Sequence, residues 1–66
     1  MNYADEFINY RAKEMISQTE LGKRIGITLA AVYRIENNIS APRKTTWKRF
    51  LTLKEEENKN EWFADF

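Results

Sequence analysis

Apolar residues recur at helical spacing in separate stretches of this chain, and polar caps divide one stretch from the next. Phe7, Tyr10 and Arg11 fall at i, i+3 and i+4, and Ile8 and Met15 widen the stripe. This spacing predicts a first helix over residues 4–15. Ser17-Gln18-Thr19-Glu20 then reads as a capping box. The Ser17 hydroxyl accepts from the Glu20 amide, and the Glu20 side chain reaches back to the Ser17 amide. A second helix starts there, with Leu21 and Ile25 one turn apart on its buried side, and Gly26 supplies the left-handed residue that ends it. Ile27 follows as a single apolar plug.

Thr28 caps a third helix over about residues 29–37, and Asn37 and Asn38 end it because Asn tolerates positive φ. Residues 39–44 form a loop around Pro42. Thr45 or Thr46 caps a fourth helix, with Trp47, Phe50, Leu51 and Leu53 on its apolar side. Lys54 to Lys59 is polar all round, so it either prolongs the fourth helix or frays. Asn60 is suited to cap a short final turn carrying Trp62, Phe63 and Phe66. The chain is thus predicted to be all-α, with four or five helices in a single domain spanning residues 1–66.

The segment from Ser17 to Glu36 is the informative one. Two short helices joined by a three-residue corner must cross steeply, as in a helix-turn-helix, here about residues 17–37. Leu21, Ile25, Ile27, Val32 and Ile35 fill the angle between them. Gly22 costs about 1 kcal/mol against Ala inside a helix. Its presence is explained if a neighbouring helix passes close by. On the third helix Val32 and Ile35 take the buried face, which leaves Leu29, Ala30, Tyr33, Arg34 and Asn37 outward. A protruding helix with small residues at its start fits a major groove about 12 Å wide. Arg34 carries the fork that matches guanine O6 and N7, and Leu29 and Ala30 suit thymine methyl groups.

Composition removes other classes. With 66 residues the chain buries only about 60% of its unfolded surface. It has no cysteine and no histidine, so it lacks a disulfide framework, thiolate metal sites and the commonest general base. No apolar run approaches the roughly 20 residues that span a bilayer, and no cleavable signal precedes Asp5 and Glu6. Neither a nucleophile–base pair nor a phosphate-cradling glycine loop is present. Glu55-Glu56-Glu57 points in three directions on a helix and reads as a solvated face, not a cation site. The expectation is a non-enzymatic cytoplasmic binding module with no cofactor, metal or small-molecule substrate.

Charge sharpens the picture. Residues 1–49 hold nine bases and five acids, a balance of +4, whereas residues 50–66 hold two bases and five acids, a balance of −3. The first part attracts phosphate, and the second is expected on the far side of any nucleic acid.

The stretch Ser17-Gln18-Thr19-Glu20-Leu21-Gly22-Lys23-Arg24-Ile25-Gly26-Ile27-Thr28, followed by Val32, Ile35 and Glu36, resembles the Cro/repressor-type (XRE-like) helix-turn-helix family. The likeness extends back to Phe7, Tyr10 and Arg11 and forward through Pro42 to Trp47, Phe50 and Leu53. It implies a lambda-repressor-like fold and a sequence-specific regulator that binds double-stranded DNA, mostly as a repressor dimer on a palindromic operator. That setting is the nucleoid of a bacterial or phage-infected cell. By position the resemblance makes Thr28, Leu29, Ala30, Tyr33 and Arg34 the base-reading set. Gln18 becomes a phosphate contact that also orients the reading helix, and Arg43, Lys44 and Thr45 meet the backbone across the groove. Arg11 and Glu36 become a structural pair between helices one and three.

Three features depart from the family pattern. Met15 stands where many members carry a glycine, Leu29 and Ala30 replace polar leading residues, and the tail aromatics lie farther from Leu53. The tail, residues 54–66, is read either as an extra helix or as a dimer contact through Trp62, Phe63 and Phe66. The alternative function is a protein-interaction module on the same scaffold, such as an antirepressor, an antitoxin-like partner or another small phage-encoded inhibitor. The apolar start of helix three would suit a protein groove as well as thymine methyls.

Overall fold

A computed structural model describes the backbone of residues 2–64 and the side chains of residues 2–56. Its elements are α1 (Tyr3–Glu14), α2 (Gln18–Ile25), α3 (Leu29–Glu36) and α4 (Lys44–Ala64), with no strand among the described residues. The N-caps of α2 and α3 form where the sequence predicts. Among the described residues the capping box is half formed, since the Glu20 side chain lies 3.6 Å from Arg24 and makes no bond to the Ser17 amide. Ser17 Oγ accepts from the Glu20 amide at 3.1 Å, and Thr28 Oγ1 accepts from the Ala31 amide at 3.1 Å. Asn2 does the same for α1 through the Ala4 amide at 2.9 Å. Each of these bonds satisfies an N–H that has no partner inside its own helix.

The helix ends show how the chain reverses. After α3, Asn38 adopts φ 59°. The Ile39 amide donates back to the Arg34 carbonyl at 2.8 Å, and the Asn38 amide donates to Ile35 at 3.2 Å. These paired bonds form a Schellman motif with Asn in the left-handed position. After α1, Met15 takes φ 56° and ψ 45°. The turn therefore keeps the left-handed shape that a glycine would favour, in spite of the side chain.

Gly22 has a more local cause than a passing helix. Its carbonyl accepts from the Ile27 amide at 2.9 Å, and a Cβ on it would lie 2.6 Å from the Ile27 carbonyl oxygen. The α2–α3 corner folds back onto the face where Gly22 has no side chain.

α3 packs against α1 and α2, and α4 packs against α2. Phe7, Tyr10, Leu21, Ile25, Val32, Ile35 and Phe50 form the buried core, flanked by partly buried Ile16, Ile27, Trp47 and Leu53. Phe50 is its hub, with ring centroids 4.7 Å from Phe7, 5.5 Å from Tyr10 and 5.3 Å from Trp47. Fully burying one such aliphatic or aromatic side chain contributes about 1.5–3 kcal/mol. Lys54 fastens α4 to α1 through Glu6 at 2.8 Å while lying over the Phe50 ring.

Four expectations are corrected. Ile8 and Leu51 are exposed, and Met15 is 91% exposed, so none of them belongs to the core. α1 curves its core face through Ala4, Phe7 and Tyr10, while the left-handed turn sends Met15 outward. α4 begins at Lys44, ahead of Thr45 and Thr46, because the Arg43 carbonyl already accepts from the Trp47 amide at 2.9 Å. Thr46 is then inside the helix and buried. Finally, α4 continues to Ala64 without a fresh start at Asn60. The side chains of Trp62 and Phe63, and all of Phe66, lie outside the described residues.

Two substitutions test these backbone constraints. Gly22→Ala should destabilise the domain by about 1–3 kcal/mol in urea denaturation, because overpacking against a backbone carbonyl outweighs the gain in helix propensity. An unchanged midpoint would contradict the close approach. Met15→Gly should raise the thermal midpoint by several degrees. It relieves a left-handed cost of about 1–2 kcal/mol, part of which is offset by the greater freedom of glycine when unfolded.

Candidate nucleic-acid interface

The third helix is held from behind. Glu36, at its last position, has a side chain only 4% exposed. Arg11 grips it with both prongs: Nε donates to Oε2 at 2.7 Å and Nη2 donates to Oε1 at 2.7 Å. The same guanidinium donates through Nη1 to the Ile16 carbonyl at 3.3 Å. A carboxylate buried to this degree is costly unless it is both paired and hydrogen-bonded, and here it is both. The hydrogen bonds that Arg11 donates to Glu36 are the main cause that raises its pKa above the ordinary value.

Gln18 completes this bracket. Its Nε2 donates to Glu36 Oε1 at 3.2 Å, so the first residue of α2 ties directly to the end of α3. It also lies at the surface, beside the outer face of α3.

With Val32, Ile35 and Glu36 turned inward, the remainder of α3 faces out. Leu29 is 50% exposed and Tyr33 53%. Leu29, Ala30, Tyr33 and Arg34 line a shallow open groove together with Gln18 and Ile39. Thr28 does not join them. It lines a neighbouring cleft with Arg34, Arg43, Thr45 and Arg49. Arg34 alone borders both surfaces and forms the ridge between an apolar side and a basic one. Lys44 is exposed and lines neither.

The cations divide in a corresponding way. Arg11 pairs with Glu36, and Lys54 with Glu6. Arg24, instead of merely solvating α2, donates to the Tyr10 hydroxyl at 3.1 Å and lies 3.5 Å from Glu14 and 3.6 Å from Glu20. That hydroxyl contact is the main cause of its raised pKa. Among the described residues, Arg34, Arg43, Lys44, Lys48 and Arg49 form no ion pair. Uncompensated positive charge therefore gathers along the end of α3, the following loop and the start of α4, where a polyanion would be attracted.

Sequence reasoning missed two residues of this surface. Ile39, 65% exposed, reaches the apolar groove through the Schellman turn. The Asn37-Asn38 pair that signals the helix end was the available clue. Arg49 lies one helical turn beyond Thr45, a spacing from which its place could have been read. Among the described residues there is no cluster of His, Cys, Asp and Glu able to hold a metal ion, and no helix long and apolar enough to cross a membrane.

A helix-turn-helix family model matches residues 8–53. No curated protein and no solved structure matches the chain. The chain belongs to the Cro/C1 (XRE) type of helix-turn-helix protein, a family of DNA-binding regulators.

Arg11→Ala tests the bracket. It leaves Glu36 buried without its partner, which should cost about 3–5 kcal/mol. That is comparable with the whole stability of a domain this size. Circular dichroism should show a largely unfolded population near neutral pH. Native-like cooperative unfolding at the wild-type midpoint would mean that the pair does not hold α3.

Proposed function

We propose that this helix-turn-helix protein is a sequence-specific regulator of transcription, a repressor of the phage Cro type. In this reading it binds a palindromic operator as a homodimer. Helix α3 lies in the major groove, and the two copies present equivalent helices about 34 Å apart, one turn of DNA. Repression follows from occupying promoter DNA.

The observation that carries this reading is the outward face of α3, rigidly backed and flanked by unpaired cations. Arg34, at the ridge, would read guanine through its guanidinium, and Leu29, Ala30 and Tyr33 would meet thymine methyls and the groove wall. Thr28 spends its oxygen lone pair on the Ala31 amide, and its hydroxyl hydrogen remains available to a base or phosphate. Gln18, Arg43, Lys44 and Thr45 would fix the register through phosphates without reading sequence. With so few polar groups on the reading face, DNA shape would carry part of the specificity.

One feature favours a second reading. Leu29, Tyr33 and Ile39 together expose a contiguous apolar surface, which a protein groove would also cover. Salt separates the two readings. Duplex affinity should fall steeply with ionic strength as counterions are released, whereas an apolar protein contact should not.

Selection of bound duplexes from a random pool should return a palindromic consensus. Arg34→Ala should then cost about 1–3 kcal/mol and relax preference at one base pair. Operator affinity unchanged by Arg34→Ala would refute the assigned reading face. Failure to enrich any duplex would refute DNA binding itself.

A further inference from the structure

Arg34, Arg43 and Arg49 line one cleft between α3, the loop after it and the first turns of α4. Among the described residues no carboxylate lines it. Thr28, Ser40, Thr45 and the buried Thr46 also line it, and Ile27, Ala31 and Ile35 supply an apolar part of its surface. Three like charges around a poorly polarisable surface repel one another more strongly than they would in open water, and each attracts an anion more strongly for the same reason.

The position of Arg49 is built by the fold. Its Nη1 lies only 2.9 Å from the point that a Cβ on Gly26 would occupy. Gly26 is the left-handed residue that ends α2, at φ 77°. The missing side chain therefore serves twice. It permits the turn, and it leaves room for the guanidinium of a residue from α4 to lie against the α2–α3 corner. No ion pair holds Arg49 there among the described residues.

We propose that this cleft is an oxyanion site in which Arg49, together with Arg43, holds one backbone phosphate of duplex DNA, while the ridge residue Arg34 at its edge is left to the bases. This inference rests on the DNA-binding reading above. It adds to that reading a clamp drawn from α4 and set against the helix-turn-helix corner. A guanidinium matches both non-bridging oxygens of a phosphodiester at once, and those oxygens keep lone pairs for further donors such as Thr28, Ser40 and Thr45 in the cleft lining. The clamp fixes how deeply α3 sits in the groove, because the cleft adjoins the reading face along the Arg34 ridge.

The test is the salt dependence of duplex binding. Arg49→Met keeps most of the packing of the stem and removes the charge. It should lower affinity several-fold for every duplex and reduce the slope of log K against log salt by about 0.9, with little change in thermal midpoint. Thr45→Glu is the second variant. It leaves Arg49 in place and sets a carboxylate four residues before it on α4, where the two can pair. It should reduce the slope in the same way without loss of fold.

In the wild type, a neutral methylphosphonate at one particular phosphate should weaken binding. In Arg49→Met the same replacement should have no further effect, while replacements elsewhere still do. Wild-type slopes in both variants, or equal sensitivity of Arg49→Met and wild type at every methylphosphonate position, would overturn the clamp and leave DNA binding standing. Absence of any duplex binding by the wild-type chain would instead overturn the underlying reading.

Discussion

The orientation of α3 depends on a single buried carboxylate. Glu36 occupies the last position of that helix, where burial without partners would be costly. Arg11 supplies two charge-assisted hydrogen bonds from α1, and Gln18 adds one from the start of α2. Three helices therefore meet at one side chain. Apolar contacts among Leu21, Ile25, Val32 and Ile35 favour burial of this side of α3, but hydrophobic attraction has no direction of its own. The bidentate geometry is what selects one rotation and one height of the helix relative to its neighbours. In a domain with so small a core, a specific polar anchor of this kind does the work that a larger interior does by close packing.

The same economy governs the charges. Arg11, Arg24 and Lys54 are consumed in joining one element to another, each with a carboxylate from a different part of the chain. Among the described residues, Arg34, Arg43, Lys44, Lys48 and Arg49 form no ion pair and lie at the end of α3, in the following loop and at the start of α4. A modest net charge thus conceals a strongly one-sided surface, and for a polyanion the local distribution matters more than the total.

The outer face of α3 is chemically divided. Leu29, Ala30 and Tyr33 give one flank an apolar character, and Arg34 marks the boundary with a basic cleft. A helix of this kind has little hydrogen-bonding vocabulary for base edges. In the proposed docking, its discrimination would concentrate in one guanidinium and in methyl contacts, and positioning by phosphates would be correspondingly important.

Sequence alone determined the elements that depend on local chemistry. Ser17, Thr28, Gly26 and Asn38 announce helix ends because capping and left-handed φ are decided within a few residues. The inward set Val32 and Ile35 and the outward set Leu29, Ala30, Tyr33 and Arg34 follow from helical period. The pairing of Arg11 with Glu36 was legible only through resemblance, since nothing local links residues so far apart. Tertiary structure decided the rest. It set Gly22 against the Ile27 carbonyl, turned Gln18 onto Glu36, and separated Thr28 from Leu29, Ala30 and Tyr33. It also brought Arg49 beside Gly26. Each of these is a contact between elements whose angle and distance are fixed by packing in three dimensions, and periodicity along one helix carries no information about where a second helix crosses it.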